Sequence, residues 1–351
     1  MIDLDDPASL VPDRSGMFTH IRALGRELVR AWHNSQSLVL PHLTESLDSI
    51  VVAGMGGSAT AGDYFATMCS GTSPIPVMVV RGAALPAFAS DRTLVVVSSY
   101  SGETAESLAC YDEARRHHAP IVAITAGGKL AARAATDGVP VVRIDYVSPP
   151  RAAIAHTIAP LLRLGATLEI CPADQAIVEE AAAHCDLFTN GLTPDVPRAQ
   201  NAAKLIAYAL WGRMPLVVGG EHLAPVTTRF KNQLAENGKT LAIAETLPEA
   251  AHNIVVGLET AQADAPALAV VLLDSSAYGP GMQRVANEVA TLFAEHGIAV
   301  RRAMASGAST LAQMLTATAL GDYASCYLAL LHGIDPTPIP EIERMRALSS
   351  G

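Results

Sequence analysis

The sequence predicts an α/β protein built from two parallel, doubly wound sheets, each flanked by helices. Short apolar runs typical of strands alternate with longer segments of helical periodicity, and this alternation occurs twice along the chain. Half of the 351 residues are hydrophobic but only 5% are aromatic, so the core must consist mainly of alanine and aliphatic side chains. Such a core is typical of helices packed on parallel sheets, and the length predicts two domains.

The first alternating region follows two predicted helices, Met17–Trp32 and Leu38–Leu47, which make an N-terminal helical segment over residues 1–48. Residues 49–170 are the first predicted domain, and a long apolar helix over Ala152–Leu168 closes it. Its predicted strands are Ser49–Ala53, Val77–Val80, Thr93–Ser98, Ile121–Thr125 and Val139–Ile144, with helices at Ala59–Cys69, Glu103–Arg116 and Leu130–Ala135.

The second alternating region begins after a polar, Ala-rich stretch, which predicts a helical connector over residues 171–200. Residues 201–351 are the second predicted domain, with a C-terminal helix and tail. Its predicted strands are Leu216–Gly219, Thr240–Ala244, Ala269–Leu273 and Ala299–Ala303, and its helices include Asn287–Glu295 and Thr310–Leu331.

The two regions share features that indicate a degenerate internal duplication. VVAGMGG at Val51–Gly57 matches VVGGEH at Val217–His222 in placement, and VVVSSYSGET at Val95–Thr104 matches VVLLDSSAYG at Val270–Gly279. Only the first copy keeps a turn rich in serine and threonine, so we expect one phosphate site per chain.

Two loops of the first domain have the composition of an anion-binding site. VVVSSYSGET places Ser99, Ser101 and Thr104 between a strand and a helix, where backbone N–H groups and hydroxyls can bind an anion. GMGGSATAG supplies Gly56, Gly57 and Ser58 at the equivalent point after an earlier strand. Helix capping explains Ser101 or Thr104 alone equally well, but the two loops together favour a phosphate ester.

The glycine-rich loop also fits a dinucleotide-binding fingerprint, Gly54-x-Gly56-x-x-Ala59. That fingerprint expects an acidic residue at the end of the second strand, where this chain has Val80 and Arg81. Arg81 suits a 2′-phosphate, so an NADP-dependent oxidoreductase stays open as an alternative.

Composition limits the partners of the protein. A net charge of −10 with scattered arginines makes nucleic acid an improbable partner. The five dispersed cysteines, with no signal peptide and no apolar run of membrane-spanning length, predict a cytoplasmic protein with no membrane partner. No cluster of His, Cys and Asp has the spacing of metal ligands, so we predict neither a metal nor another cofactor.

Here the sequence resembles a known family. The segments GMGGSATAGD, SSYSGET and VSPPRAAI are similar to the sugar-isomerase (SIS) domain, whose motifs many sugar-phosphate proteins share. RFKNQLAENGK, PEAAHNIVVGLE and GDYASCYLALLHGIDPTPIPEIERMR extend the match. The combination resembles the bifunctional phosphoglucose/phosphomannose isomerase family from about Val51 onward.

The resemblance implies two SIS subdomains, a homodimer with sites at subunit and domain boundaries, and interconversion of glucose 6-phosphate or mannose 6-phosphate with fructose 6-phosphate. It implies that Ser58, Ser99, Ser101 and Thr104 hold the phosphate of this hexose 6-phosphate substrate. By the same resemblance Glu236 is the catalytic base, His252 acts in ring opening, and Arg151 matches the arginine of the PRAA segment.

The chain departs from the family pattern at two positions. Arg346 stands where the family has a C-terminal lysine, and a guanidinium cannot readily give up a proton. Glu103 replaces the usual asparagine of the SGNT turn, and a carboxylate beside a phosphate is unfavourable unless it points away.

The chemistry of these residue types suits the implied reaction. One carboxylate can move a proton between C1 and C2 through an enediolate, a fixed cation such as Arg151 can stabilise the oxyanion, and a histidine can open the sugar ring near neutral pH. Residue patterns alone leave other interpretations open: Glu236 on a solvated helix face carrying Lys231 and Lys239, and His252 as a hydrogen-bonded structural histidine. His222 is a further possible substrate contact.

A different class of function stays open as well. SIS domains also occur in sugar-phosphate-sensing regulators, which carry a basic helix-turn-helix, whereas residues 1–48 contain Asp3, Asp5, Asp6 and Asp13. The preference between glucose and mannose configuration depends on pocket shape and is left undetermined.

Overall fold

A computed structural model describes residues 2–10, 12–41, 46–261 and 267–349, with the side chains of residue 9 and residues 347–349 left aside. The chain forms two compact units. The first-sheet unit comprises Arg26–Glu179 and Pro340–Gly351, and the second-sheet unit comprises Met1–Gly25 and Glu180–Ile339. These bounds differ from the predicted domains, because the N-terminal and connector segments are each divided and the C-terminal helix belongs to the first-sheet unit.

The first-sheet unit contains five parallel strands in the order β2-β1-β3-β4-β5. Every residue of β1, β3 and β4 is buried, which explains their continuous apolar runs. The strands are β1 Ser49–Ala53, β2 Val77–Val80, β3 Thr93–Ser98, β4 Ile121–Thr125 and β5 Val141–Arg143; the helices are α3 Gly56–Cys69, α4 Ala105–Arg116, α5 Gly128–Asp137, α6 Ala155–Thr167 and α12 Pro340–Ser349. The predicted α/β class and first four strands are confirmed.

The four predicted helices of this domain are present with ends shifted by up to three residues, whereas two other predictions need correction. Strand β5 is shorter than predicted because the N–H of Val139 donates to the carbonyl of Ala134 at 2.8 Å and closes the turn after α5. The predicted helix Leu38–Leu47 is wrong where it is described: residues 38–41, 46 and 47 are irregular, and residues 42–45 lie outside the described residues. Leu38 is extended, and Pro41 disfavours helix in the residue before it.

The N-terminal helix is divided. Instead of one helix over Met17–Trp32, α1 covers Met17–Arg22 and α2 covers Leu24–Asn34. At the break, the N–H of Ala23 is shared between the carbonyls of Thr19 and His20, each at 3.2 Å.

The second-sheet unit contains four parallel strands in the order β7-β6-β8-β9. Its strands are β6 Met214–Gly220, β7 Ile243–Leu247, β8 Leu268–Asp274 and β9 Ala299–Met304; its helices are α8 Ala202–Leu210, α9 Ala224–Glu236, α10 Pro280–Glu295 and α11 Thr310–Leu331. The predicted connector contains helix α7, Gln175–Thr189, and a short 3₁₀ helix, Arg198–Gln200. Strand β7 begins later than predicted because Thr240 N–H donates to the Leu234 carbonyl and keeps residue 240 in the turn after α9.

Helix α11 is the central helix of the second-sheet unit. Leu311–Leu331 are all buried, and the helix packs against α1, α8 and α9. By length and apolar composition, it is the one helix in the described ranges that could cross a membrane. Its apolar stretch is wholly buried within the protein, as is normal for a core helix.

The predicted correspondence between the two regions is visible in the topology. Strand β6 pairs with both β7 and β8, just as β1 pairs with both β2 and β3. VVAGMGG and VVGGEH therefore lie at the same place in their respective sheets, and so do VVVSSYSGET and VVLLDSSAYG.

Candidate active site

The two predicted anion loops follow neighbouring strands at the point where the strand order reverses. Strand β1 lies between β2 and β3, with Ala53 paired to Val80 on one side and to Val97 on the other. The loops that leave the carboxyl ends of β1 and β3 therefore border the crevice in which doubly wound sheets bind ligands.

The first loop, which is rich in glycine, brings its backbone close to the backbone at the end of β3. A Cβ at Gly54 would lie 3.0 Å from the Ser98 carbonyl oxygen, and Gly56 has a φ of +52°. Helix α3 starts at Gly56 with no side-chain capping bond, so its first N–H groups keep their capacity to bind an anion. Ser58 lies in this first turn and is 8% exposed.

The second loop holds its hydroxyls in a fixed arrangement. The Ser99 and Thr104 hydroxyls are hydrogen bonded at 2.9 Å, and Ser99 Oγ accepts from the Gly102 N–H at 3.1 Å. The Ser101 hydroxyl accepts from the Glu103 N–H at 3.2 Å. Thr104 is the N-cap residue of α4 but makes no side-chain capping bond. Simple capping therefore does not explain Thr104.

Gly102 is required by the geometry of this turn. It has a φ of +70°, and a Cβ there would lie 1.9 Å from the Gly127 carbonyl oxygen.

We expect Gly102→Ala to lower the free energy of unfolding by about 2–5 kcal/mol, from left-handed strain and overpacking together. The matched control is Gly138→Ala, which has a φ of +66° but open space around its Cβ, so only the strain of about 1–2 kcal/mol applies. Chemical denaturation measures both, and equal losses would contradict the steric argument.

Glu103 is turned toward α5. Its carboxylate accepts from the Lys129 N–H at 2.8 Å and lies 3.1 Å from the Lys129 ammonium. The backbone and side chain of Lys129 hold the pKa of this carboxyl below its usual range. The negative charge of this exposed carboxylate is thus compensated by the Lys129 ammonium and by the start of α5, so it is not left unpaired beside the anion turn.

Arg151 lies beside the glycine-rich loop. It is in a 3₁₀ helix, Pro150–Ala153, and is 4% exposed. A Cβ at Gly57 would lie 3.9 Å from the Arg151 Cα, so the backbones of the two segments are in contact. The structure therefore places Arg151 beside the glycine-rich loop, within the first-sheet unit.

Glu236 is the last residue of α9, in the second-sheet unit. The end of this helix is fixed on α11, where Asn237 Nδ2 donates to Ser325 Oγ at 3.0 Å. The Lys239 ammonium donates to the main-chain carbonyls of Glu236, Pro336 and Pro338. Among the described residues, no hydrogen bond or ion pair involves the half-buried Glu236 carboxylate. A carboxylate at a helix C-terminus opposes the helix dipole, which favours a functional over a structural explanation.

His252 and Arg346 are both exposed. His252 ends the 3₁₀ helix Glu249–His252, and over the described part of the chain its imidazole has no hydrogen-bond partner. The alternative of a hydrogen-bonded structural histidine is therefore not supported. Arg346 lies on α12, with the first-sheet unit.

In the second sheet the strand order reverses between β6 and β8, and at this switch point the protein's own side chains occupy the crevice. His222 Nε2 is 2.9 Å from Gln313 Oε1, which also accepts from the Ser275 hydroxyl. The Tyr278 hydroxyl accepts from the Gly220 N–H at 3.0 Å and donates to the Leu273 carbonyl. Burial lowers the pKa of His222. These bonds use groups that would otherwise be available to a ligand.

Comparison with known proteins places the chain in a family. The SIS domain model matches residues 43–146, and the model of the bacterial phospho-glucose isomerase C-terminal SIS domain matches residues 199–348. The bifunctional phosphoglucose/phosphomannose isomerase of Caldicellulosiruptor bescii is 34% identical over 333 residues, which covers 94% of this chain and 98% of the relative. This chain belongs to the bifunctional phosphoglucose/phosphomannose isomerase family. The family resemblance predicted from the sequence motifs is confirmed.

More distant members of the bifunctional isomerase family and solved structures agree. The Thermoplasma volcanium enzyme of the same name is 28% identical over 302 residues, covering 85% of this chain and 90% of the relative. A glucose-6-phosphate isomerase-like protein of Thermus thermophilus superposes with a TM-score of 0.64 at 22% identity, covering 97% of this chain and 99% of that one. That structural likeness supports the fold.

Sequence reasoning missed one residue that organises the candidate site. Tyr100, inside the SSYSGET turn, donates its hydroxyl to the Tyr146 carbonyl at 2.7 Å and accepts from the Ser148 N–H at 3.2 Å. It thereby ties the anion turn to the segment that precedes Arg151. An aromatic residue between two serines of a polar turn was the available signal.

Proposed function

We propose that this protein is an aldose–ketose isomerase that interconverts glucose 6-phosphate or mannose 6-phosphate with fructose 6-phosphate through an enediolate. The observation that carries the proposal is the pair of predicted anion loops at the β1/β3 crevice, in a chain that matches one named isomerase along 94% of its length. Aligned hydroxyls and an uncapped helix start are suited to the phosphate of a phosphosugar.

Each proposed catalytic group supplies one part of the reaction. Ser58, Ser99, Ser101 and Thr104, with the N–H groups of Gly56 and Gly57, bind the phosphate. Glu236 removes the proton from one of the two adjacent carbons, C1 or C2, and returns it to the other, so the C–H bond broken is replaced by one C–H bond formed. Arg151 stabilises the enediolate oxyanion, and His252 moves a proton to the ring oxygen when the ring opens. Arg346 and His222 are further proposed contacts to the substrate.

The proposed enzyme acts as a homodimer and uses no cofactor. The reaction moves one proton between C1 and C2 and one between O1 and O2, and it leaves the overall oxidation state of the sugar unchanged, so it requires neither an oxidant nor a reductant. An exposed imidazole such as His252, with no hydrogen-bond partner among the described residues, is suited to a site shared between subunits.

One assay tests the proposal directly. Fructose 6-phosphate is supplied in D₂O, and both aldose 6-phosphates are quantified by NMR. We expect at least one aldose to form with deuterium at C2, because a proton held by a carboxylate exchanges with solvent. Failure to form either aldose would contradict the proposed function, and formation without deuterium would contradict free exchange of that proton.

Ser101→Ala should weaken substrate binding more than it slows turnover. Loss of a hydrogen bond to a charged phosphate raises KM by roughly 10-fold, and kcat stays within about 3-fold because the phosphate does not react. The control is Ser70→Ala, which removes an exposed hydroxyl bonded to its own helix at the Thr67 carbonyl. Steady-state kinetics with fructose 6-phosphate measure both, and a loss confined to kcat would remove Ser101 from the phosphate site.

The two alternative functions have structural observations against them. The DNA-binding regulator needs a turn of three or four residues between two helices, whereas α1 and α2 are separated only by Ala23, and Phe18 of α1 packs on Tyr323 and Tyr327. The NADP-dependent oxidoreductase needs a free cation at Arg81, which instead forms an ion pair with Asp63 of α3. Titration with NADPH tests the latter, and saturable binding would revive it.

A further inference from the structure

A buried histidine–glutamate pair lies in the first-sheet unit and takes no part in the proposed reaction. His156 on α6 is 3% exposed, Glu27 on α2 is 6% exposed, and His156 Nε2 lies 3.0 Å from Glu27 Oε2. Burial lowers the pKa of His156, although the Glu27 carboxylate acts in the opposite direction. Well-packed apolar residues often replace a buried polar pair without loss of stability, so a role beyond stability is sought for this one.

The pair is connected to a loop through an aromatic contact. The His156 ring stacks on the Tyr146 ring, with centroids 4.8 Å apart and planes 11° from parallel. Glu27 also binds Arg30 at 3.1 Å, and Arg30 donates to the Asp145 carbonyl and lies 5.7 Å from the Tyr146 ring centroid. Two partners of the carboxylate therefore reach this loop: Arg30 contacts residues 145 and 146, and His156 contacts residue 146.

The same loop leads directly to Arg151. After β5, residues 144–149 have no regular structure, and the chain then enters the 3₁₀ helix that contains Arg151. The loop is held to the anion turn by the Tyr100 hydroxyl, which bonds the Tyr146 carbonyl and the Ser148 N–H. Its far end contacts the glycine-rich loop, where a Cβ at Gly57 would lie 3.7 Å from the Pro150 carbonyl oxygen.

We propose that His156 is a positioning residue: by stacking on Tyr146 and binding Glu27, it fixes the loop 144–150 and thereby the place of Arg151. The inference rests on the proposed function, in which Arg151 stabilises the enediolate oxyanion. That charge develops only during proton transfer, so a displaced Arg151 lowers kcat more than it raises KM.

Three variants separate the ring contact from the hydrogen bond. His156→Ala removes both, and we expect kcat to fall about 10- to 100-fold, the usual cost of displacing a catalytic group by about 1 Å, with KM changed less than about 3-fold. His156→Phe keeps the ring on Tyr146 but loses the hydrogen bond to Glu27, so we expect kcat to fall about 3- to 10-fold, less than in His156→Ala, together with a lower melting temperature. Tyr146→Ala removes the same stack from the loop side and should reproduce the kcat loss of His156→Ala.

The control and an independent measurement exclude a general effect on folding. His117→Ala removes a histidine of the same unit whose ring bonds a single backbone carbonyl, that of Ala89, and should leave kcat unchanged. Hydrogen–deuterium exchange of full-length protein reports on the loop without any substrate. We expect faster exchange in peptides covering residues 144–151 of His156→Ala, and unchanged exchange in β1 and β4.

The outcomes are distinguishable. An active wild type, an inactive Arg151→Met variant and a fully active His156→Ala variant would overturn the positioning role and leave the proposed function standing. A wild type inactive on all three hexose phosphates would contradict the proposed function, and the exchange data would then decide the positioning role alone. If His156→Ala does not fold, Tyr146→Ala decides: normal kcat and normal exchange at residues 144–151 would overturn the proposal.

Discussion

Replacing Glu236 by glutamine is expected to lower kcat by roughly 10²- to 10⁴-fold, the usual contribution of a general base. Glutamine has the same size as glutamate but cannot accept the proton, and no described hydrogen bond or ion pair depends on this carboxylate. The fold and the KM should therefore be close to those of the wild type. Steady-state kinetics and the melting temperature measure the two effects separately.

A matched control for this variant is Glu245→Gln, since Glu245 is also half-buried in the second-sheet unit and lies on β7. It should retain wild-type turnover. In D₂O, Glu236→Gln should also lose deuterium exchange at C2 to the same degree as turnover. Near-wild-type turnover of Glu236→Gln would remove this residue from the mechanism.

Mixing two inactive variants is expected to restore activity. If Glu236 and His252 of one active site come from different subunits, Glu236→Gln chains and His252→Ala chains each form inactive dimers. Random reassembly of equal amounts puts half of the chains in heterodimers with one intact site of two, so about a quarter of the wild-type rate returns. The exposed imidazole of His252 is free to act in this way within the described structure.

The control for complementation pairs Glu236→Gln chains with chains that carry both substitutions, which leaves no intact site in any dimer. Differently tagged chains, purified over both tags, verify that heterodimers are present. Absence of activity in verified heterodimers would show that the site lies within one chain or that His252 is not catalytic. His252→Ala should also be least impaired on open-chain substrate, since ring opening is the step assigned to it.

Some elements could be predicted to the residue because burial alone specifies them. Strands β1, β3 and β4 are apolar runs buried at every position, and polar or turn residues end each of them. Helix α11 is equally well marked, because its apolar residues surround the whole helix and Ser309 caps its start by accepting from the Ala312 N–H. Local pattern and tertiary environment agree at these segments.

The bounds of other elements depend on local hydrogen bonds and strand pairing, which the spacing of apolar residues does not reveal. Strand β7 is exposed or half-buried along most of its length, so its start is decided by the hydrogen-bonded turn after α9 and by pairing with β6. The segment 38–47 has helical spacing of apolar residues, yet Pro41 and the extended Leu38 prevent a helix in its described part. The periodicity of apolar residues gives no information about hydrogen-bonded turns or about backbone conformation at a single residue.

The doubly wound fold, the family and the residues of the two predicted anion loops could be derived from the amino-acid sequence, because strand runs, glycine positions and hydroxyl turns are local signals. The side-chain partners could not: that Glu103 turns to Lys129, that Tyr278 occupies the second switch point, and that His156 meets Glu27 across 129 residues of sequence are properties of the folded chain. Side-chain partners of this kind depend on which helices and loops are packed together. That packing minimises buried unpaired polar groups over the whole unit, and no single segment encodes it.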